Sequence, residues 1–147
     1  MPASQGQQFF ITLFNTRNRV RLAMDDAFRP LGITDATWRT LFYLDQSGNG
    51  VLQKELANVM GIEGPSLVRL LDSLEAKSLI ERRPNPADRR AKTVHLTRKA
   101  RTQLVKLREI SSTVGEDLLS DVDDAQITQC MDGFDHILAA VDALERK

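Results

Sequence analysis

The chain has 147 residues, with one cysteine, two histidines and a net charge of zero. This length suits one domain with a substantial hydrophobic core. A single cysteine excludes a disulfide-rich scaffold, and His95 and His136 lack the spacing of zinc ligands, so we expect no metal and no cofactor. No apolar stretch reaches the roughly 18 residues of a membrane span. The N-terminus lacks a signal-peptide pattern, so we expect a cytoplasmic protein without membrane contact.

The zero net charge conceals an uneven distribution along the chain. Residues 81–101 hold eight basic residues against two acidic ones, whereas residues 111–147 hold nine acidic residues against two basic ones. Local fields steer charged ligands more than the total charge does. The basic segment therefore favours a nucleic-acid partner, and the alternative is two solvated faces that offset each other.

The first two helices are predicted from apolar residues spaced three and four positions apart. One covers 7–30 and ends near Pro30–Gly32, where the chain turns. Thr34 is the predicted N-cap of the second helix, which contains Trp38 and stops at about 47–50.

Two further helices come next. Leu52 to Met60 fits a short third helix, and Gly61 follows it where a left-handed glycine ends a helix. Pro65 fits the first turn of a fourth helix over 65–77, because its missing N–H is not needed there. Leucines recur on one face of this helix and predict that the face is buried.

A hairpin over 80–97 is the only strand signal in the sequence. A strand over 80–83 is followed by turn-forming residues at 84–88 and by a returning strand over 92–96. Thr97 is predicted to cap a fifth helix.

A sixth helix, over about 123–146, carries an apolar seam with residues alternately three and four positions apart. The seam consists of Ile127, Cys130, Phe134, Ile137, Val141 and Leu144. Such a narrow seam suits packing against another helix. We expect a second copy of the chain to cover it, together with Phe10 and Phe14 of the first helix. Cys130 is therefore expected to be a buried structural residue.

The order of a short helix, a glycine turn, a second helix and a basic hairpin predicts a winged helix-turn-helix. In that fold the helix over 65–77 enters the major groove of double-stranded DNA with its N-terminal residues foremost. Its candidate DNA contacts are Pro65, Ser66, Arg69 and Ser73, which can reach phosphates and base edges. The alternative is the solvated face of an ordinary amphipathic helix.

The hairpin concentrates positive charge on a narrow protrusion, which would be the wing over 80–97. An arginine at its tip can enter the narrow, electronegative minor groove. The candidate DNA contacts here are Arg82, Arg83, Asp88, Arg89, Arg90 and Lys92. Asp88 either pairs with an arginine and stiffens the tip, or bonds to the backbone of its own turn.

Four stretches of this region form a specific combined pattern. They are Glu-Gly-Pro-Ser-Leu-Val-Arg-Leu-Leu-Asp-Ser-Leu-Glu at 63–75, Leu-Ile-Glu-Arg at 79–82, Asp-Arg-Arg-Ala-Lys at 88–92 and Leu-Thr at 96–97. Together they resemble the MarR family of bacterial transcription regulators, and within it the SlyA-like branch. The resemblance extends over nearly the whole chain. Ser78 departs from the family, which usually has glycine there, so the serine must accept the backbone angles of a glycine or the turn differs.

The helical pattern and this resemblance imply a mainly α fold with a small β-hairpin wing. They imply one MarR-like domain over 1–147, with dimerisation helices at 7–32 and 100–146 around a DNA-binding region at 34–99. The resemblance also implies a homodimer in which Arg90 enters the minor groove. Two-fold symmetry then predicts a pseudo-palindromic operator with half-sites about one helical turn apart.

Arg17 and Arg21 lie on the apolar stripe of the first helix, where charged residues need an explanation. One explanation is pairing with the acidic C-terminal segment of a second subunit, or extension of the guanidinium groups into water. The other is a site for a small aromatic carboxylate beside Trp38, because arginine pairs with carboxylates and a ring can stack on the ligand. The resemblance supports such a site, since several relatives bind these ligands nearby. Trp38 fits equally well as a core anchor of its helix.

We therefore expect a homodimeric, sequence-specific DNA-binding transcription regulator that a small aromatic or anionic ligand releases from its operator. The alternative is a constitutive architectural or counter-silencing DNA-binding protein without a ligand. The sequence has no glycine-rich phosphate loop, nucleophile elbow or histidine-containing triad, so we expect no enzymatic activity.

Overall fold

A computed structural model describes residues 4–48 and 50–146, and over these residues the chain forms six α-helices and three short strands. The elements in chain order are α1 (Gln5–Phe28), a 3-10 turn (Arg29–Leu31), α2 (Asp35–Gln46), β1 (Val51–Leu52), α3 (Gln53–Met60), α4 (Gly64–Ala76), β2 (Ile80–Pro84), β3 (Lys92–Leu96), α5 (Arg98–Leu118) and α6 (Asp124–Glu145). Within the described residues, no helix has the length and apolar character needed to cross a membrane. The predicted mainly α fold with a hairpin is confirmed.

The starts of α2 and α5 and the end of α3 lie at the residues predicted from the sequence. The Thr34 hydroxyl accepts the backbone N–H of Thr37 at the start of α2, and the Thr97 hydroxyl accepts that of Ala100 in α5. Gly61 ends α3 with left-handed angles, φ 60° and ψ 37°. Each feature satisfies backbone groups that a helix end leaves without partners, which is why such signals can be recognised from sequence.

The sheet has one strand more than the sequence predicted. Val51 and Leu52 form β1, which pairs antiparallel with Val94 and Thr93 of β3 and gives the strand order β1-β3-β2. The expectation that the hairpin is the only strand structure is therefore wrong. Two residues are too short to show an alternating pattern, and β1 exists only because β3 lies beside it.

Contacts divide the chain into two compact units, residues up to Ser112 and residues from Thr113 onward. The first unit holds the buried core, where helices α1 to α5 and the sheet contribute Phe28, Trp38, Leu41, Leu44, Leu56, Leu67, Leu71, Leu74, Ile80, Val94, Leu104 and Leu107. In the second unit α6 has no buried residue. Cys130 is exposed, so its predicted burial is wrong for the single chain.

The end of α4 determines how the chain enters the hairpin. The N–H of Leu79 donates to the carbonyl of Leu74, and that of Ser78 donates to the carbonyl of Glu75, the two bonds of a Schellman ending. Ser78 has a φ of 57°, and no other non-glycine residue among those described has a positive φ. Of the two alternatives for Ser78, the structure therefore shows a serine with the left-handed angles usual for glycine.

Candidate nucleic-acid interface

One open groove brings the helix-turn-helix and the hairpin together. It has a volume of about 810 Å³ and lies between α3, the start of α4 and the hairpin. The hairpin contributes Arg82, Arg90, Ala91 and Lys92, and β1 contributes Leu52. The helices contribute Gln53, Lys54, Ala57, Asn58, Gly64, Leu67 and Val68, with Ile62 and Glu63 from the turn. The groove therefore has cationic side chains along its hairpin wall and a helix start along the other.

The two faces of α4 are separated as its sequence predicts. Leu67, Leu71 and Leu74 are buried, whereas the four candidate contacts on the other face, Pro65, Ser66, Arg69 and Ser73, are exposed. Pro65 stands in the first turn, and the N-cap Glu63 makes no side-chain capping bond. Polar side chains and the positive end of the helix dipole thus face solvent at the start of α4.

Local hydrogen bonds close the turn at the hairpin tip. The N–H of Asn85 donates to the carbonyl of Ala91, and the N–H of Ala91 donates to the carbonyl of Asp88, both at 2.9 Å. The Asp88 carboxylate accepts the backbone N–H of Arg90 at 3.0 Å. Of the two alternatives for Asp88, the structure shows the bond to the backbone of its own turn.

The cations of the hairpin differ in their surroundings. Arg89 and Arg90 are exposed, and neither has an ion-pair partner among the described residues. Lys92 is also exposed at the start of β3. Arg83 pairs with Glu81 at 2.8 Å on the same strand. The tip thus presents positive charge that the described part of the chain leaves available to a polyanion.

Arg82 was predicted to contact DNA phosphates, and in the structure it pairs with two carboxylates of α4. Its guanidinium lies 2.6 Å from Asp72 and 2.5 Å from Glu75, both on α4, and its side chain is only 16% exposed. The hydrogen bonds that Arg82 donates to Glu75 lower the pKa of the Glu75 carboxyl and raise the pKa of Arg82. Arg82 thus lines the groove as a paired residue that joins the hairpin to α4.

His95 lies at the base of the hairpin, opposite Glu81 of β2. Its Nε2 is 2.9 Å from the Thr93 hydroxyl. A Cβ atom added at Gly50, whose φ is +86°, would lie 2.7 Å from Cε1 of His95, so only glycine fits beside the ring. Burial lowers the pKa of His95, and the positive charge of Arg83 lowers it further.

Two groove residues of α3 were missed by the sequence analysis. Lys54 and Asn58 line the groove opposite the hairpin, and both are exposed. Beside them the side-chain oxygen of Gln53 is buried without a hydrogen-bond partner. A helical projection of α3 would have placed Lys54 and Asn58 on one face, because they are four positions apart.

The three candidate effector residues, Arg17, Arg21 and Trp38, differ in their contacts and in their exposure. Trp38 is 9% exposed and packs against the rings of Phe28 and Phe42, so it serves as a core anchor. Arg21 pairs with Asp25 at 2.9 Å on its own helix. Arg17 is exposed on α1.

A cavity of about 310 Å³ lies in the first unit, between the 3-10 turn and α5. Its walls are Leu31, Ile33, Thr102, Gln103, Lys106 and Leu107. The side-chain oxygen of Gln103 is buried without a hydrogen-bond partner among the described residues. Walls that combine three apolar residues with an orphaned acceptor and a lysine are features of a small-ligand pocket.

Several apolar side chains of α1 and α6 are exposed or only half-buried in the single chain. Phe10 and Phe14 of α1 are 46% and 63% exposed and lie against each other, with ring centroids 6.2 Å apart. On α6, Ile127 and Ile137 are half-buried, while Phe134, Val141 and Leu144 are exposed. Each of these helices thus presents an apolar face to solvent.

Comparison with known proteins gives a consistent result. A family model described as the MarR family matches residues 31–91. The chain is similar to the crystal structure of transcriptional regulator PA3341, with 34% sequence identity and a TM-score of 0.83. That match covers 92% of this chain and 98% of the other.

Two solved structures contain bound molecules. A mutant of MarR from E. coli complexed with operator DNA is 20% identical, with a TM-score of 0.81, and the match covers 89% of this chain and 94% of the other. CouR from Rhodococcus jostii RHA1, bound to p-coumaroyl-CoA, is 22% identical, with a TM-score of 0.79 and coverage of 88% and 90%. At these identities the likeness shows a shared fold.

Proposed function

Because this chain belongs to the MarR family of transcriptional regulators, we propose that it is a homodimeric regulator that reads a pseudo-palindromic operator. In this proposal α4 reads the major groove and the hairpin is a wing whose Arg90 enters the adjacent minor groove. The region over 34–99 would be the DNA-binding part, with dimerisation helices at 7–32 and 100–146. Assignment to the SlyA-like branch rests on the sequence motif and stays a prediction.

The groove shared by α3, α4 and the hairpin carries this proposal. It places the exposed Arg90 and Lys92 on one wall and the start of α4 on the other. A helix start and a narrow cationic protrusion suit the major groove and a phosphate backbone of the same duplex. A neighbour of the same fold is complexed with operator DNA, which supports this interpretation.

The test is selection of bound duplexes from a random DNA library, followed by fluorescence anisotropy at about 150 mM salt. A sequence-specific regulator enriches one pseudo-palindromic sequence, which it binds roughly 10³-fold or more tightly than unrelated DNA of equal length. Failure to enrich any sequence contradicts the proposal. Equal affinity for all duplexes instead supports the architectural alternative.

The homodimer is proposed from the exposed apolar faces. Contiguous apolar surface is uncommon on soluble monomers, and both α1 and α6 carry it. Phe10, Phe14 and the seam of α6 are the residues that a second copy would cover. Two-fold pairing would also set the separation of the two α4 helices, and thereby the half-site spacing.

We further infer that a small effector binds in the cavity beside Gln103 instead of beside Arg17, Arg21 and Trp38. Trp38 packs in the core and Arg21 pairs with Asp25, whereas the cavity is lined by Lys106 and by Gln103, whose side-chain oxygen has no hydrogen-bond partner among the described residues. This chemistry suits a small aromatic acid with a hydrogen-bond donor. The neighbour CouR is bound to p-coumaroyl-CoA, which supports binding of an aromatic ligand by this fold.

Salicylate is the probe for this effector site. We expect salicylate to weaken operator binding, and Gln103→Leu to remove that response while leaving DNA affinity unchanged. Arg17→Ala is the matched control and should retain the response. If Arg17→Ala abolishes the response and Gln103→Leu does not, the effector site is the one predicted from sequence. If salicylate has no effect on the wild type, a salicylate-like effector is contradicted.

A further inference from the structure

Arg82 attaches β2 to α4 through both its side chain and its backbone. Its Nη2 donates to Asp72 Oδ1 at 2.6 Å and to Glu75 Oε2 at 2.5 Å. Its backbone N–H donates to Glu75 Oε1 at 3.1 Å. Asp72 and Glu75 are three positions apart and therefore neighbours on one face of the helix. We call this set of three residues the clamp.

In the clamp, the positive charge of Arg82 is paired with carboxylates of the protein itself. The Arg82 side chain is 16% exposed, whereas those of Asp72 and Glu75 are 56% and 40% exposed. Guanidinium–carboxylate hydrogen bonds are directional, and arginine's planar group can hold two carboxylates in a defined geometry. Arg82 is thus suited to setting the angle of the hairpin and poorly placed to neutralise a phosphate.

The path from Arg82 to the hairpin tip is continuously hydrogen-bonded. Arg82 pairs with Val94, and the ladder extends to Pro84 opposite Lys92. Beyond the ladder, the turn is closed by Asn85 with Ala91 and by Asp88 with Arg90. A hydrogen-bonded path therefore connects Arg82 to the turn that carries Arg90.

We propose that Arg82 is a positioning residue for DNA recognition, which holds the hairpin at the angle where Arg90 and α4 engage neighbouring grooves together. The inference rests on the proposed function and deepens it, because it assigns Arg82 to geometry instead of to direct contact. Simple electrostatics predicts the opposite outcome when the clamp carboxylates are neutralised. Removal of two negative charges and release of an arginine would then tighten DNA binding.

The experiment uses the double variant Asp72→Asn/Glu75→Gln, with near-isosteric neutral side chains. The matched control is Glu81→Gln, which breaks the exposed pair with Arg83 but leaves the link to α4 intact. Each is combined with Arg90→Ala, and operator affinity is measured by fluorescence anisotropy. This double-mutant cycle measures how far the contribution of Arg90 depends on the clamp.

We expect the double variant to bind the operator about tenfold more weakly despite its more positive charge, since correct placement of the wing is lost. The penalty of Arg90→Ala should fall from about tenfold to below about threefold in this background, and remain complete with Glu81→Gln. A second variant, Arg82→Lys, keeps the charge but loses the two-carboxylate geometry. It should reduce the Arg90 penalty, and the salt slope should fall by no more than the roughly one unit expected for Arg90, because position 82 keeps its charge.

Tighter binding by Asp72→Asn/Glu75→Gln, or an Arg90 penalty equal in all backgrounds, overturns the positioning role. Should the double variant fail to fold by circular dichroism, Arg82→Lys decides the question by the same Arg90 penalty. If the wild type enriches no operator, the proposed function itself fails. That result is distinct from specific binding with an unchanged Arg90 penalty, which removes only this inference.

Discussion

The hydroxyl of Thr97 donates to the carbonyl oxygen of Ser78 at 2.8 Å, joining the chain that enters the hairpin to the chain that leaves it. The Thr97 hydroxyl also caps α5 by accepting the N–H of Ala100. Ser78 itself has a φ of 57°, an angle that is costly for a residue with a Cβ atom. The turn between α4 and β2 is thus held by neighbours that compensate for a strained residue.

Ser78→Gly should stabilise the protein by about 1 kcal/mol, because glycine adopts left-handed angles without the steric cost. The gain should appear as a rise of about 3 °C in Tm by differential scanning calorimetry. Ser73→Gly, at an exposed position inside α4, is the control and should destabilise by about 0.5 kcal/mol. A lower Tm for Ser78→Gly would mean that the serine side chain has a stabilising contact.

Arg90→Ala should weaken operator binding and reduce the salt slope by roughly one unit, since one cation near a phosphate is lost. The measurement is anisotropy at several salt concentrations. Arg29→Ala removes an exposed arginine that lies outside the groove and should leave the slope unchanged. An unchanged slope and affinity for Arg90→Ala would remove the wing tip from the proposed interface.

Phe134→Asp or Ile137→Asp should break the proposed dimer, because a buried unpaired carboxylate at an interface is strongly unfavourable. Sedimentation velocity should then show a monomer, and operator affinity should fall with the loss of paired α4 helices. His136→Asp changes an exposed neighbour outside the seam and should sediment like the wild type. A dimer that persists in both seam variants would exclude these residues from the interface.

Stability should fall as the pH drops below about 6.5, the ordinary pKa of a histidine, because burial and Arg83 lower the pKa of His95. Below that pH the unfolded chain binds a proton on His95 that the folded chain does not bind. The contribution of neutral His95 to the free energy of unfolding is therefore complete above that pH and is lost below it. Thermal unfolding between pH 7.5 and 5.5 should show a smaller decrease in Tm for His95→Gln. His136→Gln should retain the wild-type pH dependence, and an identical pH dependence in both variants would argue against His95.

Local chemistry made much of this structure predictable. The N-caps at Thr34 and Thr97, the left-handed Gly61 and the leucine face of α4 depend on residues within one or two turns of each other, so a linear pattern contains them. The exposed basic tip follows for the same reason, because a short polar turn between two strands keeps its charges in solvent.

Contacts between distant residues decided the rest. The sequence shows that Arg82 is basic, but its pairing with Asp72 and Glu75 depends on how β2 lies against α4. β1 exists because β3 is beside it, and Cys130 is exposed because no partner covers α6 in the single chain. By itself the sequence determined where helices and the hairpin begin and end, through short-range hydrogen bonding and apolar periodicity. The tertiary structure alone decided which charges are left for a ligand, because pairing of a charge depends on elements that are far apart along the chain.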